Sequence, residues 1–195
     1  MSSTTTFPEA LETVKLSRFA RLVAFDDRLL RRLVRNRRAR LTFVLRSLCR
    51  MYDPDMVIMA VAIALFAPPL VSIANHAALA LISTSLLVVV VKRVVRRTRP
   101  AEELHASTLP DRFSFPSGHT AAAFALAIAM FGAAPVLAPF LLVLAICVAY
   151  GRMYLGVHYP IDVAAGAAIG LVTGSVVALV QIPNVIDLPF KIPGL

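Results

Sequence analysis

Hydrophobic and polar positions are sorted along this chain into long blocks. Residues 56–91 contain no Asp, Glu, Lys or Arg, and neither do residues 113–151 or 163–186. Each gap can hold a membrane span of about 20 residues, and the longer ones can hold two spans joined by a tight turn. Five spans are expected on this pattern: Met56 to about Ala74, Ala77 to about Val91, His119–Phe131, about Val136–Tyr150, and Ile161 to about Val180. Pro68 and Pro69 kink the first span or end it early, and Asn75 and His76 mark a turn before the second, with His76 a polar residue at the water interface. In the last span Gly166, Gly170 and Gly174 recur every four residues, a smooth stripe against which another helix can pack closely.

Ahead of the spans the pattern changes. Between residues 8 and 36, Leu22, Phe25, Leu29 and Leu33 recur at spacings of three and four, while Arg18, Arg21, Arg28, Arg31, Arg32 and Arg35 occupy much of the remaining surface. This predicts a basic amphipathic helix lying in the membrane interface; a solvated helix packed on its own domain has the same periodicity. The basic run continues through "RNRRARL" toward Asp53 and Pro54. From Lys92 to Gly118 the chain is polar and reads as a loop outside the hydrocarbon. The chain thus divides into a basic interfacial segment (1–55), a helix bundle (56–182) and an irregular, proline-bearing tail (183–195).

Composition sharpens this picture. Of the 195 residues 58% are hydrophobic and 16% charged, against roughly 45–50% and 25% in soluble domains. The expected fold class is therefore all-α, a polytopic transmembrane helix bundle of five spans, or six if the amphipathic segment inserts, in the cell membrane. A net charge of +9 would suggest nucleic acid in a soluble protein, but twelve of the twenty Lys and Arg fall in the first 55 residues, beside the membrane. Anionic lipid headgroups are the expected partner, and nucleic acid is not. Cys49 and Cys147 have neither a disulfide framework nor a metal-site spacing, and residues 1–19 lack the apolar core of a secretory signal.

Three polar clusters flank the later spans: "KRVVRRTRP", "FPSGH" and "GRMYLGVHYPID". Two spans separate the first two clusters from the third, so parity brings all three to one membrane face. Together they hold Lys92, Arg99, Arg152, two histidines and an aspartate, a set suited to a phosphate and to proton transfer. Singly, each has a plainer reading. Lys92 with Arg93, Arg96 and Arg97 would pass as a basic membrane flank, His119 as a satisfied interfacial residue, and His158 with Asp162 as a structural pair. Arg93, Arg96 and Arg97 are read as flank, and Arg112 and His105 are assigned no role.

In combination the clusters resemble the three signatures of the type 2 phosphatidic acid phosphatase (PAP2) superfamily of membrane lipid phosphatases. They stand as Lys92 to Arg99-Pro100, as Pro116-Ser117-Gly118-His119, and as Arg152 to His158 to Asp162, with Gly151 where the family usually has serine. The resemblance implies a hydrolase for a lipid phosphate or diphosphate, with polyprenyl diphosphates such as undecaprenyl diphosphate, phosphatidic acid and phosphatidylglycerol phosphate as substrate classes. It implies His158 as nucleophile through a phosphohistidine, Asp162 as the carboxylate that orients it, and His119 as the acid for the leaving group. Lys92, Arg99, Ser117, Gly118 and Arg152 would bind the phosphate. The chemistry of these residue types agrees: an imidazole attacks only when unprotonated and aimed, and fixed cations neutralise phosphoryl oxygens as charge moves. No metal and no cofactor is expected. A phosphotransferase of the same superfamily and a non-catalytic lipid-phosphate-binding protein are the alternatives. With the basic N-terminal segment inside and five spans the site comes out cytoplasmic, and a sixth span would reverse that.

Overall fold

The computed structural model describes residues 7–107 and 111–180, with side chains from residue 20 onward. Its helices are α1 (Phe7–Arg35), α2 (Ala39–Arg50), α3 (Pro54–Leu65), α4 (Val71–Val95), α5 (Gly118–Ala133), α6 (Ala138–Tyr154) and α7 (Pro160–Leu179). The expected irregular tail at 183–195 lies outside the described residues.

Proline sets several of the boundaries. Pro54 and Pro160 open α3 and α7, where the missing N–H has no helical partner to lose. Pro68 and Pro69 form a short 3-10 turn that separates α3 from α4. The first expected span is therefore shorter than the hydropathy block, and the turn placed at Asn75 and His76 is corrected: both lie buried inside α4. His76 Nδ1 stands 2.9 Å from Ser72 O one turn earlier, so its polar ring is satisfied without leaving the helix. Helices α4 and α7, of 25 and 20 residues, have full spanning length. At about 1.5 Å per residue, the 12 residues of α3 reach only part of the way across a hydrocarbon core.

Helix α5 is the centre of the bundle. Its buried face is almost all alanine, Ala121, Ala123, Ala125, Ala127 and Ala129, and α4, α6 and α7 surround it. Small residues let backbones approach, which is the main source of helix association where lipid removes the hydrophobic drive. The glycine stripe of α7 lies against α5 as its spacing predicts. A Cβ at Gly166 or Gly174 would stand 2.5 Å or 2.6 Å from the carbonyl oxygens of Ser117 and Ala125, and one at Gly170 would strike that of Ala121.

The basic N-terminal segment proves to be two helices with two kinds of face. On α1, Asp26 and Leu30 are buried toward α6 and α7, whereas Leu22 and Phe25 point outward, Phe25 being 60% exposed. The helix packs on its own bundle with one face and leaves an apolar and basic face exposed. The arginines after it are not all free for headgroups. Arg37 donates from Nε to Tyr154 O at 2.7 Å and from Nη2 to Leu104 O, which ties the segment to the end of α6.

Candidate functional site

The site forms because three helix ends are turned toward one another. Helix α4 stops at Arg96, which adopts a left-handed φ of 49° while its N–H bonds back to Lys92 O at 3.0 Å. The chain then doubles across itself: Thr98 pairs with Phe113, and Ser114 N–H donates to Arg97 O at 2.9 Å. This brings the Pro116-Ser117-Gly118-His119 turn beside the end of α4. On the other side α6 ends and Gly156, at φ +74°, makes a turn that a side chain would strain. His158 follows, just ahead of α7.

Lys92, Arg99, Gly118, His119 and His158 all line one cavity of about 640 Å³. Its polar end is this cluster. The rest runs between α3 and α4 along Val57, Ile58, Val61, Leu65, Leu81 and Ile82 and is almost wholly apolar. Arg152 stands behind the cluster, 2% exposed, with Nε and Nη2 buried and lacking any hydrogen-bond partner. A buried guanidinium with unmatched donors is a costly arrangement that an anion would relieve.

The cations are partly engaged. Lys92 Nζ donates to Asp111 Oδ2 at 2.7 Å and to Phe113 O at 3.1 Å; Arg99 donates from Nη2 to Asp111 Oδ1 at 2.7 Å and from Nη1 to Val157 O at 2.8 Å. The Asp111 carboxylate thus bridges the two cations as an oxyanion would. Burial works to raise its pKa, but the hydrogen bonds and charges of Lys92 and Arg99 outweigh that and hold it below the usual carboxylate range. Arg99 Nη1 also lies 3.2 Å from His158 Nε2. Burial first, and then the charges of Arg152, Arg99 and Lys92, push the His158 imidazole well below its ordinary pKa, so the ring is neutral at neutral pH.

Two expectations are corrected in detail. His158 Nδ1 and Asp162 Oδ2 are 3.7 Å apart, near enough for attraction but too long for a hydrogen bond, and Nδ1 has no other partner. The Asp162 oxygens are taken instead: Oδ1 by Arg97 Nη1 at 2.7 Å and Oδ2 by Tyr159 N–H at 2.9 Å. Ser117, expected to bind the phosphate, instead donates its amide to Asp162 O at 2.9 Å, and its hydroxyl pairs with Thr120 at 2.9 Å. Of the two residues in that turn, Gly118 is the one on the cavity wall.

Arg97 is likewise not flank. It bridges two buried carboxylates, Asp162 and, through Nη2 at 2.6 Å, Asp26 of α1, while its guanidinium lies 4.1 Å over the Tyr159 ring. Asp26 also accepts from Ile161 N–H at 3.1 Å, at the start of α7. Sequence reasoning missed Asp26, Arg97 and Asp111 as site neighbours, and it missed Asp53, whose Oδ1 is 2.6 Å from His119 Nε2. For Asp53 a signal existed: parity puts the N-terminus of α3 and the C-terminus of α4 on one face. Gly151 has a packing reason as well, since a Cβ there would stand 2.9 Å from Cys49 Sγ of α2.

The structure thus presents a helical bundle with a cationic, histidine-bearing pocket at the head of an apolar cavity. The chain belongs to the PAP2 superfamily, whose family model matches residues 73–185. It is 43% identical over 93 residues to decaprenylphosphoryl-5-phosphoribose phosphatase of Mycobacterium tuberculosis, a match covering 47% of this chain and 51% of that protein. It is 46% identical over 80 residues to the Mycolicibacterium smegmatis protein of the same name, covering 40% and 43%. The chain thus spans about half the length of the curated relatives it matches. Among solved structures it resembles the PAP2 type phosphatidylglycerolphosphate phosphatase of Bacillus subtilis, with TM-score 0.68 and 23% identity over 80% of this chain and 84% of that one. Aquifex aeolicus LpxE gives TM-score 0.64 and 27% identity over 78% and 93%.

Proposed function

We propose that this protein is a multi-pass cell-membrane phosphatase that removes phosphate from a lipid phosphate or diphosphate, without a metal, through a phosphohistidine on His158. The observation that carries this reading is the cluster of Lys92, Arg99, His119 and a neutral His158 at the head of an apolar cavity, with the orphan buried donors of Arg152 behind it, its charge acting on His158. An oxyanion satisfies those donors, and a hydrocarbon tail fills the rest. In the attack, His158 Nε2 bonds to phosphorus while the three cations and the Gly118 amide hold the phosphoryl oxygens. Ser117 holds the turn in place. Asp162, fixed by Arg97, faces Nδ1 and stabilises the imidazolium character that develops there. His119 gives its proton to the departing oxygen, and water then cleaves the phosphohistidine.

The similarity to decaprenylphosphoryl-5-phosphoribose phosphatases makes polyprenyl-linked phosphates the first substrates to try. The outward apolar and basic face of α1, with Arg28 and Arg32 beside Phe25 and Leu29, suits an anionic bilayer surface; nucleic acid is not a partner in this reading. The test is phosphate release by the purified protein in excess EDTA. The panel is a polyprenyl-phosphoryl sugar phosphate, a polyprenyl diphosphate, phosphatidic acid and phosphatidylglycerol phosphate. Release in EDTA supports the reading, and abolition by the chelator contradicts it. Transfer of phosphate to a second lipid in place of water would make the protein a phosphotransferase.

A further inference from the structure

The contact between Asp53 and His119 has no counterpart in the three sequence signatures. Asp53 stands at the N-cap of α3, where an aspartate ordinarily accepts a hydrogen bond from its own helix. Here it makes no such cap bond. Its Oδ1 instead meets His119 Nε2 at 2.6 Å, and its Oδ2 is held by Arg50 Nη1 at 2.9 Å. The residues on either side of it, Tyr52 and Pro54, line the same cavity as His119. The carboxylate therefore gives up a local role for one at the mouth of the site.

The charges around the imidazole explain why that matters. Burial first, and then the charges of Arg152 and Arg99, oppose a positive charge on His119, while Asp53 favours one and offsets them only in part. A histidine that must hold a proton among cations needs such a counter-charge. With Nε2 taken by the carboxylate, Nδ1 is the nitrogen left to meet the leaving oxygen.

We propose that Asp53 is the positioning residue of the leaving-group step: it binds the Nε2–H of His119, turns Nδ1–H toward the substrate's ester oxygen and keeps that proton in place until the bond breaks. This rests on the reading of His119 as the acid. In the first half-reaction the bond from His158 Nε2 to phosphorus forms as the bond from phosphorus to the leaving oxygen breaks. The Nδ1 proton of His119 passes to that oxygen. In the second, water attacks phosphorus, the bond to His158 breaks, and the water proton returns to His119 Nδ1. Asp53 neither gains nor loses a proton in either step.

The test compares two substrates on the full chain: a long-chain alkyl phosphate, whose alkoxide must be protonated to leave, and an alkyl-tailed nitrophenyl phosphate, whose phenolate leaves unaided. Asp53→Asn is expected to lower kcat on the alkyl ester by about a hundredfold, the low end for loss of general acid catalysis, with KM nearly unchanged. On the aryl ester the loss should be a small fraction of that. Because the two rates are read on one sample, their ratio does not depend on how much of the variant is folded. Asp53→Glu should recover part of the alkyl rate. An equal loss on both esters, or none on the alkyl ester, overturns the proposal. His119→Ala run alongside separates the two claims. If it spares the aryl ester while Asp53→Asn does not, Asp53 fails and His119 stands as the acid; if it loses both rates equally, the acid assignment itself falls.

Discussion

The site holds two histidines, each with a carboxylate nearby and an arginine on that carboxylate, yet the two sets are built differently. His158, Asp162 and Arg97 sit inside the bundle, and their network reaches Asp26, itself 1% exposed. His119 and Asp53 stand at the mouth, and their arginine, Arg50, has a side chain 61% exposed. Burial strips water from the first set, which leaves the imidazole neutral, with Arg99 Nη1 3.2 Å from its Nε2. In the second set the ring is buried too, at 7% exposed, but its carboxylate and arginine reach water. Under the proposed roles the ring with buried partners would be the nucleophile and the ring with solvent-reaching partners the acid. The difference lies in the depth of the supporting groups, because the residue types are the same.

The sharpest way to break the comparison is to remove the inner ring. His158→Ala is expected to abolish phosphate release, with binding of the lipid phosphate retained, since the cations remain. Asp162→Asn should leave binding intact and lower kcat by about three to four orders of magnitude, as when an orienting carboxylate is lost from a catalytic histidine. Turnover by His158→Ala, measured as released phosphate, would show that this ring does not carry the phosphoryl group.

Arg97→Ala comes next. It leaves Asp26 and Asp162 buried and uncompensated, a change that costs about 3–5 kcal/mol when one partner of a buried pair is removed. It should also lower kcat by about a hundredfold, the effect of displacing a catalytic group by a fraction of its reach. Arg97→Lys keeps the charge but cannot fork between two carboxylates, so it should recover stability better than kcat. Thermal unfolding and kcat on the same samples check both. A variant with ordinary activity would return Arg97 to the basic flank.

A pH profile tests the depth of the inner ring without a mutation. The folded pKa of His158 lies well below 6.5, so the unfolded chain binds the extra proton in the interval between. The stability that depends on keeping this ring neutral is complete above the unfolded value of 6.5 and is lost as pH falls below it. In the free enzyme, kcat/KM should show no acid limb from His158 near 6.5, and one should appear only well below it. A limb centred at the ordinary imidazole value would mean that water reaches the ring.

Much of this arrangement is legible in the sequence. Parity alone gathers Lys92, Arg99, His119, Arg152, His158 and Asp162 onto one face, and the spacing of Gly166, Gly170 and Gly174 announces a close helix contact. What the sequence did not show depends on geometry finer than parity. Arg97 looks like its neighbours Arg93 and Arg96, and only the left-handed turn at Arg96 separates a side chain turned inward from those left outside. Asp26 lies among arginines on a helix whose apolar stripe points the other way, so its burial cannot be read from periodicity. The break at Pro68 and Pro69 outweighs the polar pair at Asn75 and His76 because a missing N–H ends a helix, whereas a histidine can bond to the carbonyl one turn back.

Arg50→Ala is the smallest effect expected and the one that most narrows the comparison. Arg50 touches Asp53 at 2.9 Å and Asp55 at 3.1 Å, but the guanidinium is mostly in water. An exposed pair of this kind contributes about 0–1 kcal/mol, so kcat should fall by less than about fivefold, well short of the loss in Arg97→Ala. Raising the salt concentration should shrink the difference from wild type further, since screening acts on the exposed pair and hardly on the buried one. A loss as large as that of Arg97→Ala, and insensitive to salt, would mean that the outer set is as tightly held as the inner. Position at the rim would then not be what separates acid from nucleophile in this bundle.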